Sequence, residues 1–185
     1  MEMRRRLVLT LPLTAVACGE APSGEPKTPT ETPDPIAITP SGKPERQFRY
    51  QTLTGQLVTD RTYRGRMTLV LLAATYDAGS QVQARYLETV VRRHAPRINA
   101  LMLVMEPPQN APLAEAFAAS LGLSYDVALA GRATIAGEGP FPGLHHVPSL
   151  VLLDRQGREV WRHLGVIAAQ PLDEAIAARD DRKRR

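Results

Sequence analysis

The sequence holds one cysteine, Cys18, in 185 residues. No disulfide can form within the chain, and no two of its thiols can act as a pair. The folded part must therefore be held by its apolar core, although exported domains often lean on disulfides. Aromatic residues are scarce as well, at 5%, with one tryptophan and three phenylalanines. They are not interleaved with basic residues, and no base-reading motif occurs, so nothing supports a nucleic-acid partner. The apolar run at residues 7–16 is too short to cross a bilayer core of roughly 30 Å. No internal repeat is visible. Net charge is also low, +4, and much of it sits at the two ends: Arg4, Arg5 and Arg6, then Arg179, Arg182, Lys183, Arg184 and Arg185. The closing run reads more simply as a solvated end than as a contact for anionic lipid or nucleic acid.

What is present begins with MEMRRRLVLTLPLTAVACGE, where basic residues precede an apolar run and small residues come after it. That is the layout of an export signal. The small residues end in Ala15-Val16-Ala17-Cys18-Gly19, which resembles the lipobox of bacterial lipoproteins. The resemblance implies a signal peptide over residues 1–17 and a lipidated Cys18 as the first residue of the mature chain. Ala15 departs from the leucine common at its position. The alternative is an ordinary secretory signal with an incidental cysteine. The composition of the next segment favours the anchor. Residues 19–46 contain seven prolines, Pro22, Pro26, Pro29, Pro33, Pro35, Pro40 and Pro44, set among Thr, Ser, Gly and charged residues. Nothing there can bury a core, so residues 18–46 read as an extended linker reaching about 3 Å per residue. Such a stalk would hold a domain off a membrane.

The globular part is expected over residues 47–179, with a basic tail at 180–185. Phe48, Tyr50 and Leu53 alternate as in a strand, and Thr54-Gly55-Gln56 reads as a turn. Residues 67–73 form a continuous apolar run, as a central strand buried on both faces requires. Over residues 80–95, Val82, Tyr86, Leu87, Val90 and Val91 recur at helical spacing, and Pro96 ends the helix. Residues 98–105 predict a second buried strand and 112–121 a short helix with Gly122 as its cap. A brief strand at 127–129 precedes the long loop GRATIAGEGPFPGLHHV. A hairpin turning at Asp154-Arg155-Gln156-Gly157 and a last helix over 171–178 complete the chain. Strand–helix–strand units favour parallel pairing, and the hairpin adds antiparallel strands at one side.

That order is similar to the thioredoxin fold, and more narrowly to the exported TlpA-like and redoxin branch of thiol–disulfide proteins. Leu69-Val70-Leu71-Leu72-Ala73-Ala74-Thr75-Tyr76 resembles the branch's strand ending in Ala-Thr-Trp. Thr54-Gly55-Gln56-Leu57-Val58 and Tyr63-Arg64-Gly65-Arg66 resemble its opening hairpin and its step into the first core strand. Val147-Pro148-Ser149, with the strand and turn after it, resembles its cis-proline loop. The implied class is α/β, a thioredoxin-like three-layer sandwich with a mixed central β-sheet and Pro148 cis. The implied location is the bacterial cell envelope, the domain facing the periplasm. The outer membrane is favoured, because Gly19 rather than aspartate comes after Cys18.

The chain departs from the family where its chemistry should be. The positions of the family's Cys-x-x-Cys are Asp77 and Ser80 here. Only sulfur forms and resolves a mixed disulfide, so the resemblance carries the fold and not the activity. Asp77 at a helix N-terminus reads as a cap, Ser80 as a cap or first-turn residue. Asp77 with His145 or His146 makes a poor metal site without thiolates, and no cofactor is expected. Tyr76, Asp77, Val147 and Pro148 line the expected groove for an extended peptide, such as a segment of an envelope protein. Two function classes stay open. One is a peptide-binding or chaperone-like module. The other is an enzyme that borrows a partner's thiols or uses non-thiol chemistry at Asp77.

Overall fold

The computed structural model describes residues 45–180. The signal segment, Cys18, most of the proline-rich linker and residues 181–185 lie outside the described residues, and with them the anchor and stalk readings. The elements, in order, are β1 (Arg49–Gln51), β2 (Leu57–Thr59), α1 (Asp60–Tyr63), β3 (Met67–Ala73), α2 (Ala78–His94), β4 (Ile98–Val104), α3 (Ala111–Leu121), β5 (Asp126–Leu129), α4 (Arg132–Ile135), β6 (Ser149–Leu153), β7 (Glu159–Leu164) and α5 (Ala169–Asp180). The run MTLVLLA offers no polar face, and β3 is buried at all seven positions. It sits in the middle of a sheet ordered β5-β4-β3-β6-β7. Strands β3, β4 and β5 pair in parallel, while β6 runs antiparallel to β3 and to β7. The mixed sheet and the antiparallel hairpin at one side are as the element order requires.

Side chains alternate across β3 into two cores. Leu69, Leu71 and Ala73 pack with Leu87 of α2, Phe117 of α3 and Leu172 of α5. Val70 and Leu72 pack on the opposite face with Phe48, Tyr50, Phe141 and Leu144. The third layer is thus built largely from loop and hairpin rather than from long helices. The stretch after β5, legible only as a Gly/Pro-rich loop, buries Phe141 and Leu144 completely and contains the single turn of α4. At the other end of the fold, Glu45 and Arg46, which composition assigns to the linker, are held to the sheet. Glu45 bridges Arg158, and the Arg46 amide donates to the Gly157 carbonyl at 2.8 Å.

Helix α2 corrects one expectation. Val82 is exposed and Tyr86 only half-buried, whereas the buried face carries Ser80, Gln83, Ala84, Leu87, Glu88 and Val90. Polar residues turn inward because each serves a loop. The Glu88 carboxylate accepts from the Ser124 amide at 2.9 Å, and the Gln83 carbonyl oxygen from the Ile167 amide at 2.7 Å. A pattern that counts only apolar residues misplaces such a face by a fraction of a turn.

Candidate functional site

The carboxyl end of β3 delivers the chain to the first turn of α2, and the turn is closed by its own side chains. Asp77 is the N-cap of α2, with extended backbone at φ −99° and ψ 120°. Its Oδ2 accepts from the Ser80 amide at 2.6 Å and from the Ser80 hydroxyl at 2.7 Å. The Ser80 Oγ in turn accepts from the Ala74 amide at 3.1 Å. Ser80 is fully buried, Asp77 half-buried and Tyr76 exposed. Aspartate and serine therefore form one hydrogen-bonded unit across the two positions, with Asp77 as the cap and Ser80 as a first-turn residue. Asp77→Ala removes the cap, about 1 kcal/mol, and strands the buried Ser80 hydroxyl. A loss of about 2 kcal/mol in unfolding free energy is expected from denaturant titration. An unchanged midpoint would show the pair to be idle.

Behind the turn lies a carboxylate that sequence reading used only as a strand stop. Glu106 is 2% exposed, and its two oxygens accept from the Thr75 amide at 2.5 Å and the Asn110 side-chain amide at 2.7 Å. Burial by itself raises the Glu106 carboxyl. The hydrogen bonds from Thr75 and Asn110 outweigh it and hold the group below the ordinary carboxylate value. A glutamate directly after a buried apolar strand was the available signal, since a charge there needs partners.

The corner packs against the loop before β6. A Cβ on Gly79 would lie 3.2 Å from the Pro148 ring and 3.4 Å from Val166, so glycine lets the first turn of α2 approach both. The Val147–Pro148 peptide is cis. The Pro148 carbonyl accepts from the Gly165 amide at 2.9 Å, and the Ser149 hydroxyl donates to the His146 carbonyl at 2.6 Å. Among the described residues, the Val147 backbone N–H and C=O have no hydrogen-bond partner. The wall at residues 165–168 is held from beneath by Gln83 and by His163. His163 stacks on Trp161 with ring centroids 5.8 Å apart; burial pushes its imidazole below the ordinary histidine value, against a hydrogen bond to the Val166 backbone. Neither Gln83 nor His163 was legible as a site neighbour, because Gln83 meets the 165–168 wall through a contact far apart in sequence and His163 through backbone geometry.

Of the expected groove residues, Asp77 and Pro148 both lie against Gly79. Tyr76 stands 78% exposed, Leu164 53% and Val166 45%, the last packed on Gly79 at the corner. His145 and His146 are both exposed. The His145 imidazole lies over the Gly137 backbone, where a Cβ would fall 1.9 Å from its Cε1. No group of three or more metal-ligating side chains occurs among the described residues.

This arrangement, a mixed five-stranded sheet with the α2 N-terminus facing a cis-proline loop, is the thioredoxin-like α/β fold. Solved structures bear that out. The chain is similar to a DsbF homologue from Corynebacterium diphtheriae, with a TM-score of 0.67, 19% identity, and 86% of this chain covering 97% of that one. It is similar to a secreted Mycobacterium tuberculosis disulfide oxidoreductase homologous to E. coli DsbE, with a TM-score of 0.60, 15% identity, and coverage of 71% and 96%. A thioredoxin-family thiol:disulfide interchange protein from Chlorobium tepidum matches with a TM-score of 0.62, 18% identity, and coverage of 74% and 94%. No family model matches the chain, and no curated protein does. At these identities the likeness is one of fold.

Proposed function

We propose that this chain is a membrane-anchored protein of the bacterial cell envelope whose thioredoxin-like domain works without thiol chemistry. The domain holds an extended segment of another envelope protein in the groove between Tyr76–Asp77 and Val147–Pro148. The observation that carries this reading is the unpartnered backbone of Val147 next to Pro148, which packs with exposed Val166 on Gly79 of the first turn of α2. A free N–H and C=O next to apolar surface suit an extended peptide, which supplies matching backbone groups and a side chain for that surface. Sulfur chemistry has no support in the chain, whose one cysteine is Cys18. A secreted protein among the similar structures supports an envelope location. The competing reading, an enzyme acting through partner thiols or Asp77 chemistry, has less behind it. The Ser80 hydroxyl is buried and already donates to Asp77, so it is not an accessible nucleophile.

The test is photo-crosslinking in cells that carry a crosslinking residue at Tyr76, with exposed Leu113 as the control position. One discrete adduct from position 76, absent from 113 and lost with Val166→Glu, is expected. Equal adducts from both positions, or none from 76, would overturn the groove. Fractionation of the same cells tests the anchor separately: Cys18→Ala should leave the membrane fraction, and unchanged sedimentation would refute lipidation.

A further inference from the structure

A second concave surface lies at the opposite end of the sheet, where β3 and β4 begin, seven residues or roughly 20 Å from the Asp77 corner. It is a cleft of about 490 Å³ with Arg66, Arg97 and Arg155 at its rim and Met67, Ile98 and Ile176 among its lining. These three apolar side chains are 3–8% exposed, so they form a floor continuous with the core. The Arg66 guanidinium is steadied by a 3.0 Å bond to the Pro96 carbonyl and makes no ion pair among the described residues. Arg97 makes none either. Arg155 pairs with Asp180 at 2.7 Å, and His94 shares Asp173 with Arg93. The negative ends of α2 and α5 reach this end too, about half a charge each, and each helix answers with basic residues in its last turn. Among the described residues the cleft therefore keeps two guanidinium groups without an ion pair. In sequence, Arg182, Lys183, Arg184 and Arg185 come closely after Asp180.

An arginine rim over an apolar floor selects a ligand with an anionic head and an apolar body. Guanidinium forks match phosphate oxygens in pairs, and a cleft of this size holds a headgroup with its first methylenes. The lining has no Phe, Tyr or Trp ring on which a nucleic-acid base could stack, and its one imidazole, His94, is held by Asp173. We propose that this cleft binds the phosphate headgroup of an anionic phospholipid. The domain would then meet the membrane by this end and turn the Asp77–Pro148 groove away from it. The proposal goes beyond the groove reading and stands whether or not Cys18 carries lipid.

The full chain is titrated calorimetrically with dihexanoyl phosphatidylglycerol below its micelle concentration, with dihexanoyl phosphatidylcholine, and with inorganic phosphate. Phosphatidylglycerol is expected to bind roughly tenfold tighter than either of the others. Arg66→Gln/Arg97→Gln should lose that preference, about tenfold, while melting at the parent's temperature because both residues are exposed. Equal affinity for the two lipids, or parental affinity in the double variant, would overturn the proposal. Inorganic phosphate binding as tightly as phosphatidylglycerol would overturn it too, and assign the cleft to a free phosphate instead.

Discussion

Asp77→Cys/Ser80→Cys should make the protein reduce insulin disulfides, with dithiothreitol as reductant, about tenfold faster or more than the parent, which should stay at the uncatalysed rate. The parent has no thiol at the corner, and a hydrogen bond does not exchange with a disulfide. The scaffold around positions 77 and 80 nevertheless suits a thiol pair. Side chains at 77 and 80 already meet, their ends 2.7 Å apart. A thiolate at 77 would take over the Ser80 amide as donor at the positive end of the 17-residue helix α2. That environment lowers a thiol's pKa and raises the thiolate fraction. Residue 77 is half-buried next to exposed Tyr76, so it can reach a substrate, while the fully buried residue 80 is placed to resolve the mixed disulfide. If the double variant reacts with a thiol reagent yet remains at background, the corner lacks more than sulfur. Clear catalysis by the parent would sink the thiol-free reading outright.

Glu159→Ala should lower stability by about 3 kcal/mol, a fall in melting temperature of roughly 6–12 °C. The Glu159 carboxylate is 1% exposed. Its Oε2 accepts from Arg46 Nη2 at 2.7 Å, and both its oxygens accept from Arg162 at 2.6 and 2.8 Å. Removing it leaves two nearly buried guanidinium groups without their counter-charge. The cost falls at the low end for buried pairs because both arginines still touch water. The same substitution frees Arg46, which ties the start of the domain to the β6–β7 turn.

The pH dependence has its origin in the same group. Burial alone raises the Glu159 carboxyl, but Arg162 and then Arg46 outweigh it and hold it below the ordinary value. Glu88 and Glu106 are depressed for related reasons, each by hydrogen bonds that overcome burial. A carboxyl with a depressed folded-state pKa binds more protons when unfolded, so it stabilises the fold above the unfolded value, about 4.3. That stability is lost as pH falls through the folded values. Melting should therefore drop steeply below about pH 4.5 in the parent, and less steeply in Glu159→Ala. Parallel curves for the two proteins would show that Glu159 does not titrate between them.

Much of the architecture is legible because one-dimensional patterns are enough for it. The uninterrupted apolar runs of β3 and β4 read as central strands, and Asp77 three residues before Ser80 at a strand-to-helix junction reads as a cap. The functional corner is less legible. Glu106 and Val166 come to it from other parts of the chain, and the roles of Gly79 and Gln83 arise from distances that no local spacing encodes. The long loop between β5 and β6 reads as polar and Gly-rich, yet it carries Phe141 and Leu144 into the second core.

By itself, the sequence determines the thiol count, the tether-like composition ahead of the domain, the order of strands and helices, and the aspartate and serine at the strand-to-helix corner. These are properties of composition and local period. Only the tertiary structure decides that Asp77 and Ser80 close on each other, that Val147 keeps its backbone groups free where Pro148 and Val166 meet Gly79, and that Arg66, Arg97 and Arg155 gather over one apolar floor. The last two depend on segments distant in sequence brought together in space. Burial there sets which polar groups must be paired and which can be left for a ligand.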